Sequence, residues 1–171
     1  MTNLSLTRVN QKLAQAKVLL SSVDEESLTP IHRNSLMEAA AFHLVSAYQH
    51  YLRELTETYG LKHAVGVRNE LDLLKAFHAA SKHPAEAEEL SALRDDPNSW
   101  LAQLHGYYDS LWQSPKQLNA KDSEKVDDNL IVSVSLDFVT ELPPVSLEVI
   151  KQWHAEFVAL VLRQRETSAE F

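Results

Sequence analysis

The clearest hydrophobic pattern runs from Thr29 to Gly60, TPIHRNSLMEAAAFHLVSAYQHYLRELTETYG, where apolar residues recur at three- and four-residue steps. Wound at about 100° per residue, the stretch places Met37, Ala40, Ala41, Leu44, Tyr48, Tyr51, Leu52, Leu55 and Tyr59 on one side, and Glu38, Gln49, Arg53 and Thr56 opposite. Pro30 suits the first helical position, Thr29 can cap it, and Gly60 can adopt the left-handed conformation that stops a helix, with Leu61 packing back. A helix of this length spans roughly 45 Å, so its partners must be long or stacked in pairs, which predicts a bundle.

Before this stretch, Leu6, Val9, Leu13, Ala16 and Leu20 give a narrow apolar stripe over 3–21, and the short polar segment Ser22 to Leu28 sends the next helix back antiparallel. Beyond Gly60 the chain turns through Lys62 to Val67, and Leu71, Leu74 and Phe77 predict a helix over 67–80. Pro84 and Pro97 read as first-turn prolines, the second capped by Asp96, giving helices 84–95 and 97–113. The latter carries Trp100, Leu101, Leu104, Tyr107, Tyr108, Leu111 and Trp112, an aromatic cluster expected in the core.

Helical periodicity then lapses over 114–145, within which Leu130 to Leu136, LIVSVSL, alternates as a short extended segment. A lone strand lies across its own bundle or pairs with another chain, and the former is expected. Pro143 and Pro144 close the connection, Ser146 caps, and Val149, Ile150, Trp153, Phe157, Leu160 and Val161 stripe a last helix over 146–166. Arg163 and Arg165 near its end read as cations placed to suit the helix dipole. The predicted fold is all-α: an up-down antiparallel helical bundle with one long central helix, forming a single domain over 1–171.

Composition narrows the function classes. The chain of 171 residues has no cysteine, which removes disulfides, thiol catalysis and cysteine-ligated zinc, and only 3 glycines, too few for a phosphate-cradling loop. The N-terminal MTNLSLTRVNQKLAQ lacks the pattern of a secretory signal, and no run approaches the length of a membrane span, so a cytoplasmic protein is expected, with no membrane partner. A net charge of −8 repels nucleic acid and anionic lipid on average and argues against acidic partners at large, a local basic patch being the exception.

Glu38-Ala39-Ala40-Ala41-Phe42-His43-Leu44, the extended Asn129-Leu130-Ile131-Val132 and the closing LEVIKQWHAEFVALVLRQRETSAEF together resemble an uncharacterised family of small bacterial proteins, a domain of unknown function. Trp153-His154, Arg163-Gln164-Arg165 and Glu170-Phe171 carry most of the resemblance. It implies a bacterial, intracellular helical protein and brings no activity, cofactor or catalytic residue.

The remaining chemistry lies along the central helix. His32, His43 and His50 are 11 and 7 residues apart and share one azimuth on the flank of the stripe, with Glu54 one turn beyond His50. His43, His50 and Glu54 are therefore the candidate metal ligands, although two turns, roughly 10 Å, separate the histidines and a second helix must complete any site. His105 with Asp109, His78 and His154 are the other donors. No Glu precedes a His by three residues, which argues against a ferritin-like di-metal site. Helical ribonucleases place Arg and His four to six residues apart on one helix, whereas Arg33–His43, Arg53–His63 and Arg68–His78 are each ten apart, leaving at most an inactive relative.

The expected function is a non-enzymatic interaction or scaffold protein that binds an unidentified protein partner or itself and needs no cofactor. A metal-dependent enzyme or binder on the His43/His50/Glu54 flank is the alternative.

Overall fold

The computed structural model describes residues 4–23, 28–113 and 145–168, and within them the fold is all-helical, with no strand. The elements are α1 (Leu4–Ser22), α2 (Pro30–Thr58), a 3-10 turn (Ala64–Gly66), α3 (Glu70–Ala79), α4 (Ala85–Asp95), α5 (Trp100–Ser110) and α6 (Leu147–Ser168). The predicted extended segment Leu130–Leu136, and the rest of the connection up to residue 144, lie outside the described residues.

Local chemistry sets the helix ends. Thr29 caps α2 by accepting from the His32 amide, with Pro30 in the first turn. At the other end Gly60 adopts φ 68°, and the Leu61 amide donates to Thr56 O at 2.9 Å, so the left-handed residue closes the last turn and Leu61 packs on the core. Ser146 caps α6, its Oγ accepting from the Val149 amide at 3.3 Å.

Two predicted starts shift. Residues 67–69 are not helical, because Val67 closes the 3-10 turn and Asn69 caps α3 through the Asp72 amide. Nor does Asp96 cap α5. Its carboxylate accepts from the Asn98 amide in a local turn, and Ser99 takes the cap through the Ala102 amide at 3.0 Å, so α5 begins at Trp100.

Contacts between side chains fix the directions. Ser5 meets Glu57 and Lys12 meets His43, so α1 runs antiparallel to α2. Phe42 packs on Tyr108 and Tyr48 on His105, so α5 is also antiparallel to α2, whereas Trp153 on Tyr107 and Phe157 on Trp100 set α6 antiparallel to α5. The result is the predicted up-down arrangement of α1, α2, α5 and α6. The α3–α4 hairpin packs beside the C-terminal half of α2, through Glu70 on Tyr48 and Phe77 on Tyr59.

One cluster of buried residues threads all six helices, centred on Leu44, Tyr48, Tyr51, Leu52, Leu101, Leu104 and Phe157. Thr56, expected on the polar side of α2, is 0% exposed, because the connection after α2 folds back over that side; Arg53 there donates to Val67 O at 3.4 Å. The predicted aromatic cluster divides. Trp100 and Tyr107 are buried, but Trp112 lies past the end of α5 and is 70% exposed, edge-on to Phe42 and Tyr108.

Candidate functional site

The histidine row of α2 faces α1 along part of its length. His32 sits at the exposed end, its Nδ1 2.8 Å from Thr29 Oγ1. His43 is half-buried with Nδ1 3.4 Å from Lys12 Nζ, and burial first, then that ammonium, lower its pKa. His50 is lowered too, by burial and then by Arg53, Arg8 and Lys12. Both rings stay neutral at neutral pH.

Glu54, the third candidate ligand, is 2% exposed and both of its oxygens are taken by Arg165, at 2.7 and 2.8 Å. Thus α6 supplies a cation against Glu54 where a metal site needs another ligand. Among the described residues no three His, Cys, Asp or Glu side chains stand together as a ligand set. The other donors are dispersed: His154 Nε2 lies 3.0 Å from Leu13 O, His78 packs beside His83, and His105 lies edge-on to Tyr48.

The densest polar chemistry is where α6 passes α1, α2 and α4. Three consecutive residues, Arg163, Gln164 and Arg165, are splayed by about 100° each and so reach three different helices. Arg165 grips Glu54 of α2 and donates to Asn10 of α1 at 2.9 Å. Gln164, 1% exposed, accepts from the Tyr51 hydroxyl at 2.7 Å and donates to Glu89 at 2.8 Å. Arg163 forms a two-pronged pair with Glu89 of α4 at 3.1 and 2.5 Å, and this bonding holds the Glu89 carboxyl below the usual carboxylate range.

On their own helix Arg163 and Arg165 read only as dipole cations, and the clasp they form emerges from the packing of α6 against α1, α2 and α4. The available signal was an RQR run on a helix whose neighbours carry Glu54, Glu86 and Glu89 in otherwise apolar registers. Its chemistry is mutual satisfaction: burial raises the Tyr51 hydroxyl far above its ordinary range, so it is a fixed donor and not an acid at neutral pH.

A second polar cluster joins α2, α3, α4 and α5. The Tyr48 hydroxyl donates to Glu70 Oε1 at 2.7 Å, and Arg94 Nε approaches the same oxygen at 3.7 Å. His105 lies against the Tyr48 ring, and burial, with Arg94 second, pushes it down to about 4. Its Nε2 is buried without a hydrogen-bond partner among the described residues. A ring held neutral in this way is no proton shuttle near pH 7.

Concavities open on the surface of the described residues. One, of about 420 Å³, lies between the α4–α5 turn and α6, with Trp100 and Trp153 at its base and Gln103, Asn98 and Glu156 around it. Another, of about 410 Å³, is an open groove on the α1–α2 seam, lined by Gln11, Ala14, Gln15, Val18, Leu19 and His43. Its surface is chiefly apolar, and Val18 is 66% exposed beside it.

The whole length, residues 1–171, matches the model of a family of unknown function, DUF6586. The chain belongs to the DUF6586 family. No curated protein and no solved structure matches it. For this DUF6586 chain, any functional reading therefore rests on its own surface and its own side chains. No helix among the described residues is long and apolar enough to cross a membrane.

Proposed function

We propose that this DUF6586 chain is a non-enzymatic interaction or scaffold module of the bacterial cytoplasm, engaging another protein through the α1–α2 seam. The observation that carries the reading is the apolar groove there, with Val18 standing 66% exposed on a helix whose opposite face is fully spent on the core. Large apolar side chains on a groove between helices are the usual anchor points for a helical partner. The polar clusters support the same reading, because their members bond to one another between α6, α2 and α4 and so are spent inside the bundle. The bacterial setting is the one implied by the resemblance of Leu147 to Phe171.

The test is a photo-crosslinking residue placed at Val18 and, as control, at exposed Glu88 on α4, each expressed in the native host. A discrete adduct at Val18 and not at Glu88 is expected. Absence of any adduct at Val18 above the control refutes the docking role. Light scattering after size exclusion addresses self-association: a strict monomer at high concentration removes the homo-oligomeric version.

A further inference from the structure

We propose that the α1–α2 groove receives an amphipathic helix of a partner protein whose flanks carry Asp or Glu. This rests on the interaction reading above and adds the chemical class of the occupant. The chain carries a net charge of −8, yet α1 holds Arg8, Lys12 and Lys17 and no Asp or Glu at all. The first acidic residue of the chain is Asp24, after α1 has ended. Charge is thus sharply divided, and the groove lies on the positive side.

The register places Arg8 in line with the groove. Arg8, Gln11, Gln15, Val18 and Ser22 advance by alternating steps of three and four, so they form one line along the outer face of α1, away from its buried stripe. Across the seam, α2 presents His43, whose Nδ1 stands 3.4 Å from Lys12 Nζ. Farther along the same seam, Glu57 accepts from Ser5 Oγ at 2.9 Å. The seam is therefore apolar around Val18 and Leu19, carries Lys12 against His43, and is flanked by Lys17 at the Val18 end.

That combination selects the occupant. Two antiparallel helices leave a valley into which the ridge of a third helix fits, and the line from Gln11 to Ser22 covers about three turns, roughly 16 Å. Carboxylates on the flanks of such a helix meet the basic rim, while its apolar ridge covers Val18 and Leu19. A second copy is disfavoured, because two chains of the same negative charge repel. Nucleic acid is disfavoured by the same long-range repulsion and by the lack of any aromatic side chain lining the groove for base stacking.

The experiment uses two fluorescein-labelled helical peptides of about 18 residues, with the same leucine ridge and either Glu or Lys on both flanks, titrated against the full chain by fluorescence anisotropy. The Glu peptide is expected to bind, and at least about tenfold more tightly than the Lys peptide at low salt, the preference shrinking as salt screens the rim. Arg8→Glu with Lys12→Glu is expected to weaken the Glu peptide by about tenfold or more, and Val18→Asp to abolish binding of both. The neutral pair Arg8→Gln with Lys12→Gln, checked by circular dichroism, covers the case in which charge reversal unfolds α1.

Equal or tighter binding of the Lys peptide overturns the proposal, as does failure of the Glu peptide to bind. Insensitivity to the α1 substitutions overturns it too, and so does a dimer that buries Val18. Binding of single-stranded RNA or anionic vesicles in place of the Glu peptide has the same consequence. If the Val18 crosslink forms while the Glu peptide fails, docking stands and the acidic-helix assignment falls; if neither is seen, both fall.

Discussion

His105 offers a direct measure of how this bundle treats a buried titratable ring. Its imidazole lies edge-on to Tyr48 at 5.4 Å, Nε2 has no hydrogen-bond partner among the described residues, and burial with Arg94 beyond it pushes the ring from 6.5 down to about 4. The unfolded chain therefore takes up a proton at His105 as the pH drops below about 6.5, while the folded chain refuses it until about 4. Protons bound to the unfolded state favour unfolding, so stability falls through this window as pH decreases and the loss is complete below it. At roughly 1.4 kcal/mol per tenfold change in proton affinity, the full loss is about 3 kcal/mol, of which about 2 kcal/mol has accrued by about pH 5.

Urea unfolding of the wild type and of His105→Phe at about pH 7.5 and about pH 5 isolates this contribution, because Phe keeps the ring contact with Tyr48 and removes the titration. The wild type is expected to lose about 2 kcal/mol more than the variant between the two conditions, while shared titrations at His43, His50 and the carboxylates cancel. If both proteins lose the same stability to within about 0.5 kcal/mol, His105 is not buried neutral and the packing of α5 on α2 is misassigned.

The clasp at the end of α6 gives two further predictions. Arg165→Ala leaves the Glu54 carboxylate buried and unpaired and is expected to cost about 3 kcal/mol in denaturant unfolding; adding Glu54→Gln should recover much of that loss, and additive single-mutant effects would show that the two do not interact. Tyr51→Phe deletes the hydroxyl that donates to Gln164 and should cost about 1–2 kcal/mol, with an unchanged midpoint contradicting the hydrogen bond. Phe157, fully buried against Tyr48, Tyr51 and Trp100, should cost about 3–5 kcal/mol on replacement by Ala, read from the thermal midpoint; a loss under about 1 kcal/mol would mean α6 does not fill the core there.

The amino-acid sequence by itself determined the six helices and most of their ends, because these follow from local chemistry. Pro30 after Thr29, Gly60 at positive φ, and the three- and four-residue spacing of Leu44, Tyr48, Tyr51, Leu52 and Leu55 act within a few residues of chain. Where local signals competed, the nearer cap won, as Ser99 did over Asp96.

What the sequence could not assign was the partner of each polar side chain. Glu54, a candidate metal ligand on its own helix, has Arg165, 111 residues away, as its partner, and Arg163, placed to suit the helix dipole, also reaches Glu89 on another helix. Thr56 and Trp112 exchanged expected surroundings for the same reason. Periodicity gives a residue's direction on its own helix, but only the packing of helices decides what stands opposite, since that depends on crossing geometry and on which side chains fill the remaining space. The α1–α2 groove is of this second kind: Lys17, Val18 and Leu19 follow one another in plain view along the chain, and the wall that His43 of α2 adds to them exists only in the folded bundle.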